Sequence, residues 1–439
     1  MDSNRSKSPT AQETFLQMAQ AAGLRDRLLI TIGILIFIRL GIYLPLPGVD
    51  RVVFAEVVKN NAVVSFVDIF VGGGLSSLGL FALGILPFIN ASIIIQLLTA
   101  ALPTLENLQK NEGEAGRRKL AQYTRYVALG WAFLQSFGLS IWLQSSGYNG
   151  APAVPNPGIP FVLETMLALA AGSMFVMWAG EVITEKGVGN GASLLIFLSI
   201  VSNLPRTLGS TISLAQQDSS RAGGVILLLV IFLLMIVGIV FVQEGTRRIP
   251  IISARRQVGR KLYREQSSYL PLKLNQGGVM PIIFASSVLI LPSAIAGFAP
   301  NSPISGFISA ALAPNSWGYV AFYLILILGF SYFYSSLVIN PVDLSQNLKK
   351  MGSSIPGIRP GTATSNYIGG VLNRLTFLGA IFLGVIATIP TAVERATGVT
   401  TFSGIGATSL LILVGVAIET SKQIQTYVIS QRYEGMVKQ

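Results

Sequence analysis

Apolar positions run together in blocks of about 20 residues, the length a helix needs to cross the hydrocarbon of a bilayer. Ten blocks predict ten membrane helices, near 28–46, 76–100, 121–144, 161–180, 190–209, 223–243, 279–298, 318–340, 371–390 and 401–420. One stretch breaks the pattern: DIFVGGGLSSLGLFALGILPF (68–88) is too apolar for a water-facing loop and too interrupted for a simple helix. Gly72, Gly73 and Gly74 divide a short apolar piece, Val63–Val71, from the long run that follows. At about nine residues the piece cannot span. Non-helical backbone at membrane depth is tolerated only where protein buries it or where it lines a cavity. Two readings stay open: the piece folds back into the bundle, or it is a re-entrant loop without function.

The run FALGILPFINASIIIQLL (81–98) sets Ile85 and Ile89 four apart, on one helical face. Pro87 between them is expected to loosen the helix backbone. Asn90, Ser92 and Gln96 put polar groups on the same segment, which implies a protein or water contact there. The segment PIIFASSVLILPSAI (281–295) repeats the chemistry with Ile283, Ser286, Ser287, Pro292 and Ile295.

Composition fits this pattern. Hydrophobic residues make up 51% of the 439 and charged residues 11%, with a mean hydropathy of +0.62. Ordinary soluble proteins carry about 25% charged residues, so much of this surface faces lipid. The expected class is an all-α polytopic membrane protein. Cysteine and histidine are absent, which removes disulfides, thiolate chemistry, the usual zinc sets and histidine general bases. Residues 1–24 carry no apolar run resembling a cleavable signal.

Charge orients the spans. With the N-terminus inside, the inner segments hold 25 Lys and Arg and the outer segments five, a strong positive-inside asymmetry that places both termini in the cytoplasm. Ten spans divide as five and five, so the halves enter in opposite directions, the arithmetic of an inverted repeat. The expected organisation is an N-terminal segment 1–27, halves 28–214 and 215–420 with inner loops 244–278 and 341–370, and a tail 421–439. Net charge of +12 sits mostly on the inner face and need not signal nucleic acid; an RNA-rich partner or anionic lipid remains compatible with it.

The interior is nearly bare of charge. Arg39 is past the middle of the first span and is expected to snorkel outward; Glu181 and Glu419 lie at inner helix ends and Glu164 near an outer one. A secondary transporter, the competing class, would carry midplane charge. No phosphate-binding GxxxxGK[ST] run occurs, and GVGNGAS (187–193) reads as a tight turn. Without histidine no Ser-His pair exists, and an enzyme is not expected. A membrane scaffold would need neither the glycine break nor branched apolar residues on several broken spans.

Several motifs together resemble the SecY family, the channel-forming subunits of the bacterial protein translocase: PLPGVD (45–50), FALGILPFINASIIIQLL (81–98), GEAGRRKLAQYTRY (113–126), MWAGEVITEKGVGNG (177–191) and GIRPG (357–361). The run TAQETFLQMAQAAGL (10–24) is similar to N-termini of cyanobacterial and chloroplast members. The resemblance implies ten helices in two inverted five-helix halves around an hourglass pore, closed by a ring at Ile85, Ile89, Ile196, Ile283, Ile295 and Ile412. It implies a plug over about 63–77, with Ser65, Phe66, Val67, Ile69 and Phe70 before a hinge at Gly72, Gly73 and Gly74. Asn90, Gln96, Ser286 and Ser287 become candidates for a lateral gate through which signal sequences leave toward lipid. Arg247, Arg248, Arg255, Arg256, Arg260, Lys261 and Arg264 in the 244–278 loop, with Arg359 in GIRPG, become candidates for docking an ATPase (SecA) or a ribosome. Pro356 and Pro360 are expected to stiffen that tip. Implied partners are SecE, SecG, signal-bearing precursors, membrane lipid and accessory insertion factors. No cofactor or metal is implied. The expected location is the bacterial plasma membrane, with the thylakoid membrane as a second host.

Overall fold

The structure, a computed structural model, describes residues 22–60, 72–148, 151–217, 222–253, 257–258, 261–262, 267–298, 317–397 and 407–437. Over these the helices are α1 (Ala22–Gly41), α2 (Arg51–Asn60), α3 (Leu86–Ala101), α4 (Pro103–Lys110), α5 (Gly113–Ser145), α6 (Ile159–Lys186) and α7 (Gly191–Gln217). They continue as α8 (Ala222–Glu244), α9 (Met280–Phe298), α10 (Trp317–Val338), α11 (Pro341–Lys350), α12 (Thr362–Thr397) and α13 (Ala407–Val437). A helix overlies each of the ten predicted spans. Among the described residues six are long and apolar enough to cross a membrane, or seven if the α3–α4 pair, bent by 101°, is one span. The first falls short because Arg25, Asp26, Arg27 and Arg39 stand at its ends, and α13 runs from an apolar first half into a polar second.

The chain divides into two compact units, Met1–Pro205 with Val416–Gln439, and Arg206–Gly415. In the first, α5 packs along α3 and α6, and α1 packs on α6. Glycine permits close approach: a Cβ at Gly172 of α6 would press on the Leu80 carbonyl, and one at Gly41 on the Phe81 ring. A polar clamp joins α5 to α6, where Arg125 Nε donates to Glu181 Oε1 at 2.8 Å. The α6–α7 turn is tight, as its glycines predict. Gly189 has φ +87°, Asn190 Oδ1 accepts from Ser193 N to start α7, and Thr184 Oγ1 accepts from Gly191 N. A Cβ on Gly191 would collide with the Gly180 carbonyl. Gly191→Ala is therefore expected to lower stability by roughly 1–3 kcal/mol, as overpacking against rigid backbone does, read as an earlier thermal midpoint in detergent.

The second unit carries an element that hydropathy did not announce. In the 244–278 connection, β3 (Thr246–Ser253) pairs antiparallel with β6 (Ser267–Lys273), with Arg247 opposite Leu272 and Arg248 opposite Pro271. Two short strands, β4 (Gln257–Val258) and β5 (Lys261–Leu262), pair with each other. A further strand, β7 (Ser353–Ser354), joins the other side of β3. Alternation was its signal: Ile249 and Ile251 are buried, as is Leu272, and they pack with Leu348, Ile355 and Ile368 from α11, the 351–361 loop and α12. The remaining strands, β1 (Gly147–Tyr148) and β2 (Ala151–Pro152), form a small hairpin in the first unit.

Candidate functional site

The predicted second span does not begin as a helix. Residues 72–85 form consecutive turns, and α3 starts only at Leu86. Four residues of this run sit at positive φ: Gly72 (+73°), Gly73 (+82°), Leu78 (+41°) and Gly84 (+53°). Leu78 is strained there, since a side chain crowds the following carbonyl, but its complete burial holds it in place. Long-range backbone bonds secure the run. Leu46 N donates to Leu78 O at 3.1 Å and Leu80 N to Leu44 O at 2.9 Å, so PLPGVD pairs with the turn. From α6, Ser173 Oγ donates to Gly84 O at 3.1 Å.

Ile85 is the N-cap of α3, at φ −92° and ψ 0°; Ile89 N donates to its carbonyl at 3.1 Å. The two therefore share a face, as their spacing predicted. Pro87 does not loosen the helix. It occupies the first turn, where the missing N–H would have had no partner anyway. The interruption lies upstream, in the 72–85 turns, and downstream at the α3–α4 bend. Within the first unit, Ile85 lines a cavity with Ile38, Arg39, Ile42, Phe81, Gly84, Val176, Leu195, Leu198 and Ser199. Its room for the centres of water-sized molecules is about 20 Å³, enough for one water or two.

The other isoleucines of the expected ring are distributed over both units. Ile196, on α7, is buried in the first; Ile283 on α9 and Ile412 on α13 are buried in the second. Ile295 lies within α9, but its side chain is outside the described residues. Of the plug and hinge residues, Ser65, Phe66, Val67, Ile69 and Phe70 lie outside the described residues, whereas Gly72–Gly74 open the turn run. Gly73 O accepts from Ser76 Oγ at 3.0 Å and from Ser77 Oγ at 2.5 Å.

The polar candidates differ in kind. Gln96 Nε2 donates to Ser92 Oγ at 3.1 Å, while its Oε1 is buried with no hydrogen-bond partner among the described residues. Asn90 is half-buried. Ser286 and Ser287 are buried, and Ser286 Oγ spends its proton within its own helix, on Ile283 O at 2.9 Å.

The basic candidates in the second unit converge in part. Arg247 and Arg248 are exposed on β3, Arg359 is exposed in the 355–361 turn, and β7 links that turn's approach to β3. The tip is braced: Thr364 Oγ1 donates to Arg359 O at 2.9 Å, and Ser345 Oγ to Gly361 O at 2.7 Å. Gly357 (φ +77°) and Gly361 (φ +106°) flank it in conformations that side chains rarely adopt. Arg255, Arg256, Arg260 and Arg264 lie outside the described residues, as does the side chain of Lys261.

Arg39 has partners that the sequence did not show: its Nη1 donates to Gly72 O at 2.5 Å, its Nη2 to Tyr43 Oη at 3.4 Å, and its guanidinium lies 5.6 Å from the Tyr43 ring centroid.

The fold matches solved protein-conducting channels. One is described as "The plug domain of the SecY protein stablizes the closed state of the translocation channel and maintains a membrane seal"; the TM-score is 0.66 at 14% identity, over 92% of each chain. Another is Sec61 in a canine ribosome–channel complex from the endoplasmic reticulum, with TM-score 0.61 at 15% identity over 92% of each chain. The protein is thus an all-α, multi-pass membrane protein with the fold of a protein-conducting channel. A family model described as SecY matches residues 79–421. The protein translocase subunit SecY of the cyanobacterium Synechocystis sp. is 66% identical over 99% of both chains. The chain belongs to the SecY family, whose members are channel subunits and not enzymes.

Proposed function

We propose that the chain is the central pore subunit of a protein translocase, passing unfolded, signal-bearing polypeptides across a membrane and releasing apolar segments sideways into lipid. The observation that carries this reading is the non-helical run 72–85 inside an apolar helical unit, ending on the buried Ile85 at the wall of a small cavity. The lining is apolar except for Arg39 and Ser199, and the Arg39 guanidinium is taken up by Gly72 O and Tyr43 Oη.

In this reading Ile85, Ile89, Ile196, Ile283, Ile295 and Ile412 form the waist. Branched apolar side chains offer an ion nothing in exchange for its water, yet they yield to a passing chain. The family's plug corresponds to residues 63–77. Asn90, Gln96, Ser286 and Ser287 serve the lateral seam, and the orphaned Gln96 Oε1 suits a group awaiting a partner. The exposed Arg247, Arg248 and Arg359 suit an anionic partner. That the canine relative is a ribosome–channel complex supports the ribosome as one such partner; the SecA ATPase is the other, with SecE and SecG as companion subunits. The 25 to five charge asymmetry supports cytoplasmic termini, in the plasma membrane and also the thylakoid membrane of a cyanobacterium-like host.

The test is site-specific photocrosslinking from position 85, with a stalled secretory chain and the ATPase present. The expected result is an adduct that depends on the signal sequence. If positions outside the waist crosslink and position 85 does not, the pore assignment is lost and a transporter returns as the alternative.

A further inference from the structure

An ionisable side chain within a membrane span is costly and persists when a particular partner compensates it. Among the described residues Arg39 makes no ion pair. Its shortest hydrogen bond, at 2.5 Å, goes to a backbone carbonyl 33 residues away, Gly72 O. Gly72 itself has little freedom. At φ +73°, a Cβ would come within 2.9 Å of Ser199 Cα on α7. Arg39, Ser199 and Ile85 line one cavity. The guanidinium on α1 thus holds the first residue of the 72–85 turns against α7, and those turns lead directly into Ile85.

From this geometry we infer that Arg39 is a positioning residue for the resting constriction: its bond to Gly72 O fastens the turn run whose far end carries Ile85, so that the channel rests sealed. The inference rests on the pore reading above. A guanidinium suits the task because it stays charged and offers donors in a fixed fork. One donor takes the Gly72 carbonyl and another the Tyr43 hydroxyl, while the ring of Tyr43 faces the cation. Losing it leaves Gly72 O without that charged donor and the first turn free to part from α7.

The test is resting ion conductance of the full chain, purified with the subunits that accompany it and reconstituted in planar bilayers without ATPase, ribosome or precursor. Three variants are compared with the parent: Arg39→Gln, Arg39→Lys and Ile85→Asn. Arg39→Gln is expected to raise resting conductance roughly ten- to hundredfold, as befits the loss of a charged hydrogen bond that favours the closed state. Arg39→Lys keeps a charge and one donor and is expected to restore most of the seal, with the thermal midpoint of both variants close to the parent's. A leak in Ile85→Asn without one in Arg39→Gln overturns the role of Arg39 and leaves the pore standing. A seal intact in both removes the pore reading and this inference with it. Equal leaks from Gln and Lys, with an earlier midpoint, also overturn it, because Arg39 is then needed only for folding.

Discussion

Ile85→Asn is expected to raise the resting ion leak of reconstituted channels by roughly tenfold or more and to let precursors with weakened signals through. The physical ground is the cost of drying an ion. A constriction walled by branched apolar side chains replaces hydration with nothing, and one unsatisfied polar group in such surroundings costs about 2–7 kcal/mol. An amide at position 85 supplies a donor and an acceptor at that point, so water and then ions enter more readily. Position 85 suits the experiment because the residue stands at the N-cap of α3 and does not lie mid-helix. The substitution therefore disturbs little of the backbone ladder. A Cβ at Gly180 would meet Ile85 Cδ1 at 3.3 Å, and the asparagine side chain is smaller than the isoleucine it replaces, so the site can hold it. Conductance and export both equal to the parent's would remove Ile85 from the pore.

Arg359→Glu is expected to cut export by roughly ten- to hundredfold while leaving resting conductance and thermal midpoint at the parent's values. Reversing an exposed charge at an interface sets like charges against each other and slows encounter, more at low salt than at high. The structure separates this from a folding defect. Arg359 is exposed, and the turn that carries it is held by backbone and hydroxyl contacts that a new side chain does not touch: Thr364 Oγ1 on Arg359 O, Ser345 Oγ on Gly361 O, and Ile358 N on Ile355 O. Arg247→Glu, on the neighbouring strand, should produce a smaller loss. Export insensitive to Arg359→Glu at low salt would leave the exposed cations as topology signals alone.

Ten apolar blocks were legible because a helix that faces lipid must be apolar along a bilayer's thickness, and each block overlaps one helix of the structure. The expected face shared by Ile85 and Ile89 survives, although the first of them is a cap. Pro87 was misread because proline is tolerated in a first turn and disruptive in a helix interior, and hydropathy does not say where a helix starts. The strands β3 and β6 escaped notice because the charges of TRRIPIIS and the connector between them masked a period-2 pattern in a chain dominated by 20-residue runs.

By itself, then, the chain dictates its solvent, its helical segments, the orientation preferred by its charges and, through GIRPG and FALGILPFINASIIIQLL, its family. Those properties reside in local composition and periodicity, which need no knowledge of what lies across the bundle. Tertiary structure alone decided that the break at Gly72–Gly74 extends as turns to residue 85, because that conformation is fixed by carbonyl, amide and hydroxyl partners at Leu44, Leu46 and Ser173. It likewise decided that the Arg39 guanidinium meets the Gly72 carbonyl. A buried backbone oxygen takes the donor that packing brings within reach, and which donor that is depends on residues distant in sequence.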